Sequence, residues 1–123
     1  MKYLCLAYYN EKLFNALSKS ELEALVAQCH AYDQALRDSG QMLLVGSLAE
    51  PYASSCIRPL QGIPSITDGP YAETKDQLGA FFIIEARDLN DAIRVAAKHP
   101  AAHLGEHVGW GIEVRPIEFF AQN

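Results

Sequence analysis

Asp68 and Glu73 lie close together in the run Thr67-Asp68-Gly69-Pro70-Tyr71-Ala72-Glu73-Thr74-Lys75-Asp76-Gln77-Leu78-Gly79, the stretch of this chain densest in residues that chemistry can use. Two carboxylates brought together divide into an acid and a base when burial splits their pKa values. The same residues also suit structure. Asp before Gly bonds turn amides, and a Glu favours the positive end of a short helix. Lys75 is placed either to hold an anionic ligand or to stand in solvent. His30 and Asp33 are three apart, close enough to touch on one helix. At about 100° per residue from Cys29, Asp33 falls near 40° and His30 near 100°, on the border of an apolar stripe. As a surface pair they add about 0.2–0.5 kcal/mol. As a dyad they use an imidazole that titrates near neutrality.

Other candidates carry weaker spacing. His99, His103 and His107 are four apart, with Glu106 beside the last. A regular helix would put such residues on one face for a metal. Pro100 and Gly105 interrupt that helix, so these are expected to be exposed loop histidines with no metal. Tyr8, Tyr9 and Trp110 either line a pocket or fill a core, the commoner role for aromatics near central strands.

Residues 2–9 and 79–86 read as strands apolar in both alternating sets, which marks them as central strands covered on both faces. Residues 10–17 connect, with room for a helical turn. Ser18 and Ser20 each precede a Glu by three residues, the capping-box spacing, so a helix starts there and runs to about Ser39. Gly40 stops it. Leu22, Leu25, Cys29, Tyr32 and Leu36 form its buried stripe. Residues 41–48 make a strand. Ser54–Arg58 and Ile63–Thr67 make a hairpin around Pro59-Leu60-Gln61-Gly62. Pro70 then suits the start of one or two helical turns. Asp88 caps a helix from Leu89 to about Lys98, with Leu89, Ala92, Ile93, Ala96 and Ala97 inward and Pro100 ending it. Residues 111–119 form a last strand, which Pro116 confines to a sheet edge.

The totals restrict the function classes. The chain has 123 residues, enough for one domain with a real core, and carries a formal charge of -5. An acidic balance argues against nucleic acid and anionic membranes, which need clustered Lys and Arg. Three cysteines without CxxC spacing read as buried thiols in a reducing compartment. The apolar start, Met1–Leu6, is too short for a signal peptide, and no run reaches membrane-spanning length. The expectation is a soluble cytoplasmic protein.

The order β-α-β-(hairpin)-β-α-β is the split pattern of ferredoxin-like α+β folds, with an antiparallel sheet covered on one face by both helices. The other face, rich in Tyr, Leu, Phe and Ile, needs cover, and a second copy packed sheet against sheet would supply it as a dimeric α/β barrel. Asp68-Gly69-Pro70-Tyr71-Ala72-Glu73-Thr74-Lys75 followed by Gln77-Leu78-Gly79-Ala80-Phe81 resembles the signature of YCII-related proteins of the DGPF type. Tyr71 stands where that signature has phenylalanine. The opening KYLCLAYY, Leu36–Gly46 and Glu113-Val114-Arg115-Pro116 extend the resemblance over nearly the whole chain. It implies a single YCII-related domain over 1–123, a ferredoxin-like subunit and a barrel-forming homodimer. Most such proteins have no assigned activity. Some relatives in the wider family are thought to use a His–Asp pair, and some members occur beside or fused to sigma-factor domains. Residues 8–12 here are Tyr-Tyr-Asn-Glu-Lys, without histidine.

Two function classes follow. One is a cofactor-independent enzyme or ligand-binding protein, with Asp68, Glu73 and His30 as acid–base groups and Tyr8, Gly69, Pro70, Tyr71 and Lys75 around a small anionic or polar ligand. The other is an accessory module that binds a protein partner in transcription. If Asp68 works as an acid–base group, Asp68→Asn leaves stability within about 1 kcal/mol of wild type and abolishes ligand binding. Melting curves run with and without ligands check this. Unchanged ligand shifts in the variant would reduce Asp68 to a turn former.

Overall fold

A computed structural model describes every residue from Met1 to Asn123. β1 (Lys2–Asn10) alternates between two burial environments. Tyr3, Cys5 and Ala7 are buried on one side, and Leu4, Leu6 and Tyr8 are half-buried on the other. Asn10 ends the strand and caps α1 (Glu11–Asn15), its Oδ1 accepting the Leu13 N–H at 3.0 Å. Ser18 then starts α2 (Lys19–Asp38) with a complete capping box. Its Oγ accepts the Glu21 N–H at 3.1 Å, and the Glu21 carboxylate accepts the Ser18 N–H at 2.9 Å. Leu25 and Leu36 are buried and Leu22, Cys29 and Tyr32 half-buried, so the expected stripe is the buried stripe. Gly40 follows at φ 72°, in the left-handed region that ends helices.

β2 (Met42–Ser47), β5 (Asp76–Glu85), β1 and β6 (Gly111–Pro116) form one antiparallel sheet in the order β2-β5-β1-β6. This is the ferredoxin-like α+β arrangement, with β1 and β5 central as their two apolar faces require. Pro116 lies on the edge strand β6, where the lost N–H breaks no ladder on the outer side. α2 and α3 (Leu89–Ala96) cover one face. Their Leu36, Ala92, Val95 and Ala96 pack with Tyr3, Cys5, Phe82 and Ile84 in one core cluster. Leu4, Leu6, Phe81 and Ile83 stay half-exposed on the opposite face. No helix is long and apolar enough to cross a membrane.

Five expectations are corrected. The hairpin of β3 (Ser55–Leu60) and β4 (Ile63–Asp68) turns on Gln61 and Gly62 alone, both at positive φ, so Pro59 and Leu60 belong to the strand. Such a two-residue turn matches the twist of its strands, and a two-stranded ribbon has edges free to accept proline. No helix follows Pro70. The Gln77 side-chain amide donates to the Ala72 and Thr74 carbonyls at 3.1 and 3.0 Å, and Thr74 Oγ1 donates to the Asp76 carbonyl at 2.7 Å. These bonds hold an extended corner, and β5 starts at Asp76 rather than Gly79. β6 ends at Pro116, short of residue 119. On α3, Leu89 and Ile93 are exposed while Asp91 and Val95 are buried.

Asp91 is inward because it joins three elements. Its carboxylate accepts the Arg87 N–H at 3.0 Å, the Arg94 guanidinium at 2.8 Å and the Gln41 amide at 3.5 Å. Those donors, the Arg87 amide foremost, hold its pKa well below the ordinary 3.8. A depressed carboxylate stabilises the fold above its unfolded pKa, and the gain is lost as pH falls through the folded value. Asp91→Asn should therefore lower stability at neutral pH and flatten the loss below about pH 4. Urea titrations of both proteins at neutral and acidic pH measure this, and parallel acid losses would refute it.

Candidate functional site

The sheet face beneath the helices runs from large residues to small. Tyr3, Cys5, Phe82 and Ile84 fill one end. At the other end Ala7 pairs with Ala80, and the register then slips by a bulge before Tyr8. Gly79 lies in the bulge because Tyr9 occupies its side-chain space: a Cβ there would stand 2.9 Å from the Tyr9 ring. The small floor leaves a cavity of about 390 Å³. Ala7, Ala80 and Gly79 form the floor, Cys29 and Asp33 of α2 lie above it, and Tyr9, Phe14, Trp110 and the His99–Ala101 segment make walls. Ser47, Leu48 and Glu50 line the β2 side.

His99 is the chemical centre of this cavity. It precedes Pro100 and so takes an extended conformation, φ -69° and ψ 146°. The chain thereby leaves the helical path, and the imidazole lies on Phe82 with centroids 4.9 Å apart and planes 4° from parallel. Nδ1 accepts the Ala101 N–H at 3.0 Å. A ring nitrogen that accepts leaves the proton on the other, so Nε2 is the N–H of a neutral imidazole. Nε2 has no partner in the chain, and no buried side-chain nitrogen or oxygen is left unpaired, so this N–H opens onto accessible space. Burial pushes the His99 pKa down from 6.5, and the Asp33 carboxylate opposes this more weakly.

The neighbours are tuned to donate and accept hydrogen bonds rather than to attack. Burial, then Asp33, pushes the Cys29 thiol up, and its S–H donates to the Leu25 carbonyl at 3.4 Å. A protonated thiol is a poor nucleophile. Cys5, deeper in the core, is pushed up to about 12 by burial. Tyr9 is pushed up by burial and then by the Glu11 and Glu50 carboxylates, so its hydroxyl keeps its proton. The arrangement thus offers a fixed Nε2–H donor, a carboxylate on the facing helix, and aromatic walls.

Of the residues expected from sequence, Tyr8, Tyr9, Trp110 and Asp33 line this cavity, and Asp68, Glu73, His30, Gly69, Pro70, Tyr71 and Lys75 do not. Asp68 is exposed at the end of β4 opposite Ser55, and Glu73 is exposed on the corner that follows. No hydrogen bond or ion pair joins the two carboxylates, because the extended corner does not fold back as a helix would. Gly69 serves the corner, its N–H donating to the Ser54 carbonyl at 2.7 Å, with Pro70 half-buried after it. The Arg58 guanidinium lies 4.1 Å from the Tyr71 ring centroid. Lys75 is exposed. His30 is exposed on α2 and bonds nothing; Asp33, also exposed, lines the cavity and acts on the titration of His99, from a distant segment. His99 is also no exposed loop residue. His103 is exposed, stacked on Tyr32 at 4.8 Å. No cluster of three His, Cys, Asp or Glu side chains is placed to hold a metal. The legible signal for His99 was the His-Pro dipeptide at a helix end, and for Asp33 its place one turn beyond Cys29.

A histidine with depressed pKa keeps its proton off in the fold. Stability is fully present above the unfolded pKa of about 6.5 and falls as acid protonates the unfolded chain first. His99→Gln, whose amide oxygen can accept the Ala101 N–H, should remove the part of that loss that sets in as pH falls below about 6.5. Melting temperatures across this range test it; equal slopes in both proteins would contradict the neutral, buried imidazole.

The comparisons with known proteins agree with the fold. The YCII-related domain matches residues 1–118. The chain is 30% identical over 120 residues to an uncharacterised protein of Rhizobium meliloti (strain 1021), covering 98% of this chain and 94% of that one. With the β2-β5-β1-β6 sheet and both helices on one face, a match spanning nearly every element places this chain in the YCII-related family.

Proposed function

We propose that this protein binds a small molecule in the cavity beneath α2 and acts on it, without a cofactor, by acid–base chemistry. One observation carries the reading: His99, whose Nδ1 accepts the Ala101 N–H so that Nε2 keeps the proton, lines a cavity whose floor is kept small by Ala7, Ala80 and Gly79. A neutral imidazole with this proton donates to a carbonyl or hydroxyl oxygen and stabilises negative charge growing there. Taking up a substrate proton on Nδ1 is not open to it, because that lone pair is engaged by the Ala101 N–H, so the base is Asp33, whose carboxylate is near enough to bias the His99 titration. Proton transfer, isomerisation and elimination fit such a pair. Neither Cys29 nor Cys5 supports covalent catalysis.

The test screens small molecules by thermal shift on wild type, Ala80→Leu and His99→Gln. Leucine at position 80 fills the floor of the cavity. Compounds that stabilise wild type should lose most of their shift in both variants. Shifts equal in all three proteins would remove the cavity from consideration.

A second reading, a protein-contact module, draws on the β3–β4 hairpin. Ile57, Leu60, Ile63 and Ile66 are between 65% and 69% exposed. Two-stranded ribbons are marginal alone, and this one presents an apolar pair, Ile57 opposite Ile66, with Asp68 at its base. The half-exposed sheet face supports pairing with a second copy. We place the protein in the cytoplasm, in keeping with its free thiols. Light scattering at micromolar concentration should give the mass of a dimer, and a compact monomer would refute the pairing. An accessory role in transcription predicts capture of a transcription protein that Ile57→Lys abolishes.

A further inference from the structure

We infer that the cavity ligand is a small organic cation, an ammonium carried on an apolar or aromatic body. This rests on the cavity being the binding site and goes further by naming the ligand class. Two carboxylates, Asp33 and Glu50, line the cavity, and neither Lys nor Arg does. Their fields reach its interior: Asp33 acts on both Cys29 and His99, and Glu50 acts on Tyr9. His99 adds no compensating positive charge, because its Nδ1 is occupied by the Ala101 N–H and its ring is neutral. An anionic ligand would therefore enter against two like charges, with a single imidazole N–H to receive it.

The rest of the lining is mostly apolar, with Tyr9, Phe14 and Trp110 presenting aromatic surface. Ring faces attract cations, and more strongly when the cation leaves bulk water. Carboxylates and aromatic rings around one apolar space thus suit the same guest: its charge faces Asp33 and Glu50, and its body covers the Ala7–Ala80 floor. The volume, about 390 Å³, suits a ligand of modest size. Lys75, the residue that suggested an anion, is exposed and does not line the cavity.

The experiment compares three probes of similar shape: phenethylammonium, 2-phenylethanol and 3-phenylpropionate. Trp110 is the only tryptophan and lines the cavity, so its fluorescence reports binding locally. The ammonium should bind wild type about tenfold tighter than the alcohol, as a cation–π contact and a part-exposed ion pair together imply. The carboxylate should bind weakest, and the ammonium preference should shrink with added salt. Glu50→Gln and Asp33→Asn should each narrow the ammonium-to-alcohol ratio. If all three probes bind alike and Ala80→Leu abolishes them all, the cation assignment fails while the cavity stands as the site. If none binds at millimolar concentration, both fall.

Discussion

The pairing of β1 with β5 is the constraint on which the rest of the molecule depends. Both strands are apolar on both sides, so neither can lie at an edge, and their antiparallel register sets what faces the helices. Tyr3 opposite Ile84 and Cys5 opposite Phe82 make a filled end. Ala7 opposite Ala80 makes a low end, and the bulge beyond it brings Gly79 under the Tyr9 ring. A rigid helix cannot follow such a change in height. α2 packs Leu36 against the filled end and leaves a gap under Cys29 and Asp33. The cavity is a consequence of side-chain size along two paired strands.

The groups around that gap are held by constraints outside the sheet. His99 is set by Pro100, by the flat stack on Phe82 and by the Ala101 N–H. Trp110 lies against Gly105, which has φ 73° and where a Cβ would stand 2.2 Å from the indole. Only glycine fits there on both counts. Gly109, at φ 75°, brings the following chain within reach of the Asn10 backbone. The segment between α3 and β6 holds only two short 3-10 turns, Pro100–Ala102 and Glu106–Val108, yet is anchored at several points. Function is commonly presented on such connecting segments over a rigid frame.

The hairpin follows a different logic. β3 and β4 pair with each other and with no strand of the main sheet. Its corner is fixed by Gln77 and Thr74, and Tyr71 is held against Arg58 through a cation–π contact and a 2.7 Å hydrogen bond from the guanidinium to the Tyr71 carbonyl. Motif residues that look chemical in the sequence are here occupied with shaping an arm. The arm and the open sheet face both leave apolar surface that this chain alone does not cover.

Periodicity and capping chemistry determined most of the fold by themselves. Apolar residues at both alternating sets made 2–9 and 79–86 central, a capping box at Ser18 or Ser20 started α2, Gly40 stopped it, and Pro116 required an edge. These signals are local, and tertiary packing agreed with them. Local signals failed where a side chain competed for backbone bonds: the Gln77 amide took the carbonyls that a helix after Pro70 would have used, and Asp91 took the inward place on α3 offered to Leu89 and Ile93. The candidate site was legible only in pieces. Asp33 was visible at one turn from Cys29, and Tyr8 through its strand. That Asp33 and His99 line one cavity was decided by tertiary structure alone. Those residues are far apart in the chain, and no spacing rule relates a mid-helix carboxylate to an imidazole turned inward by a proline on another element.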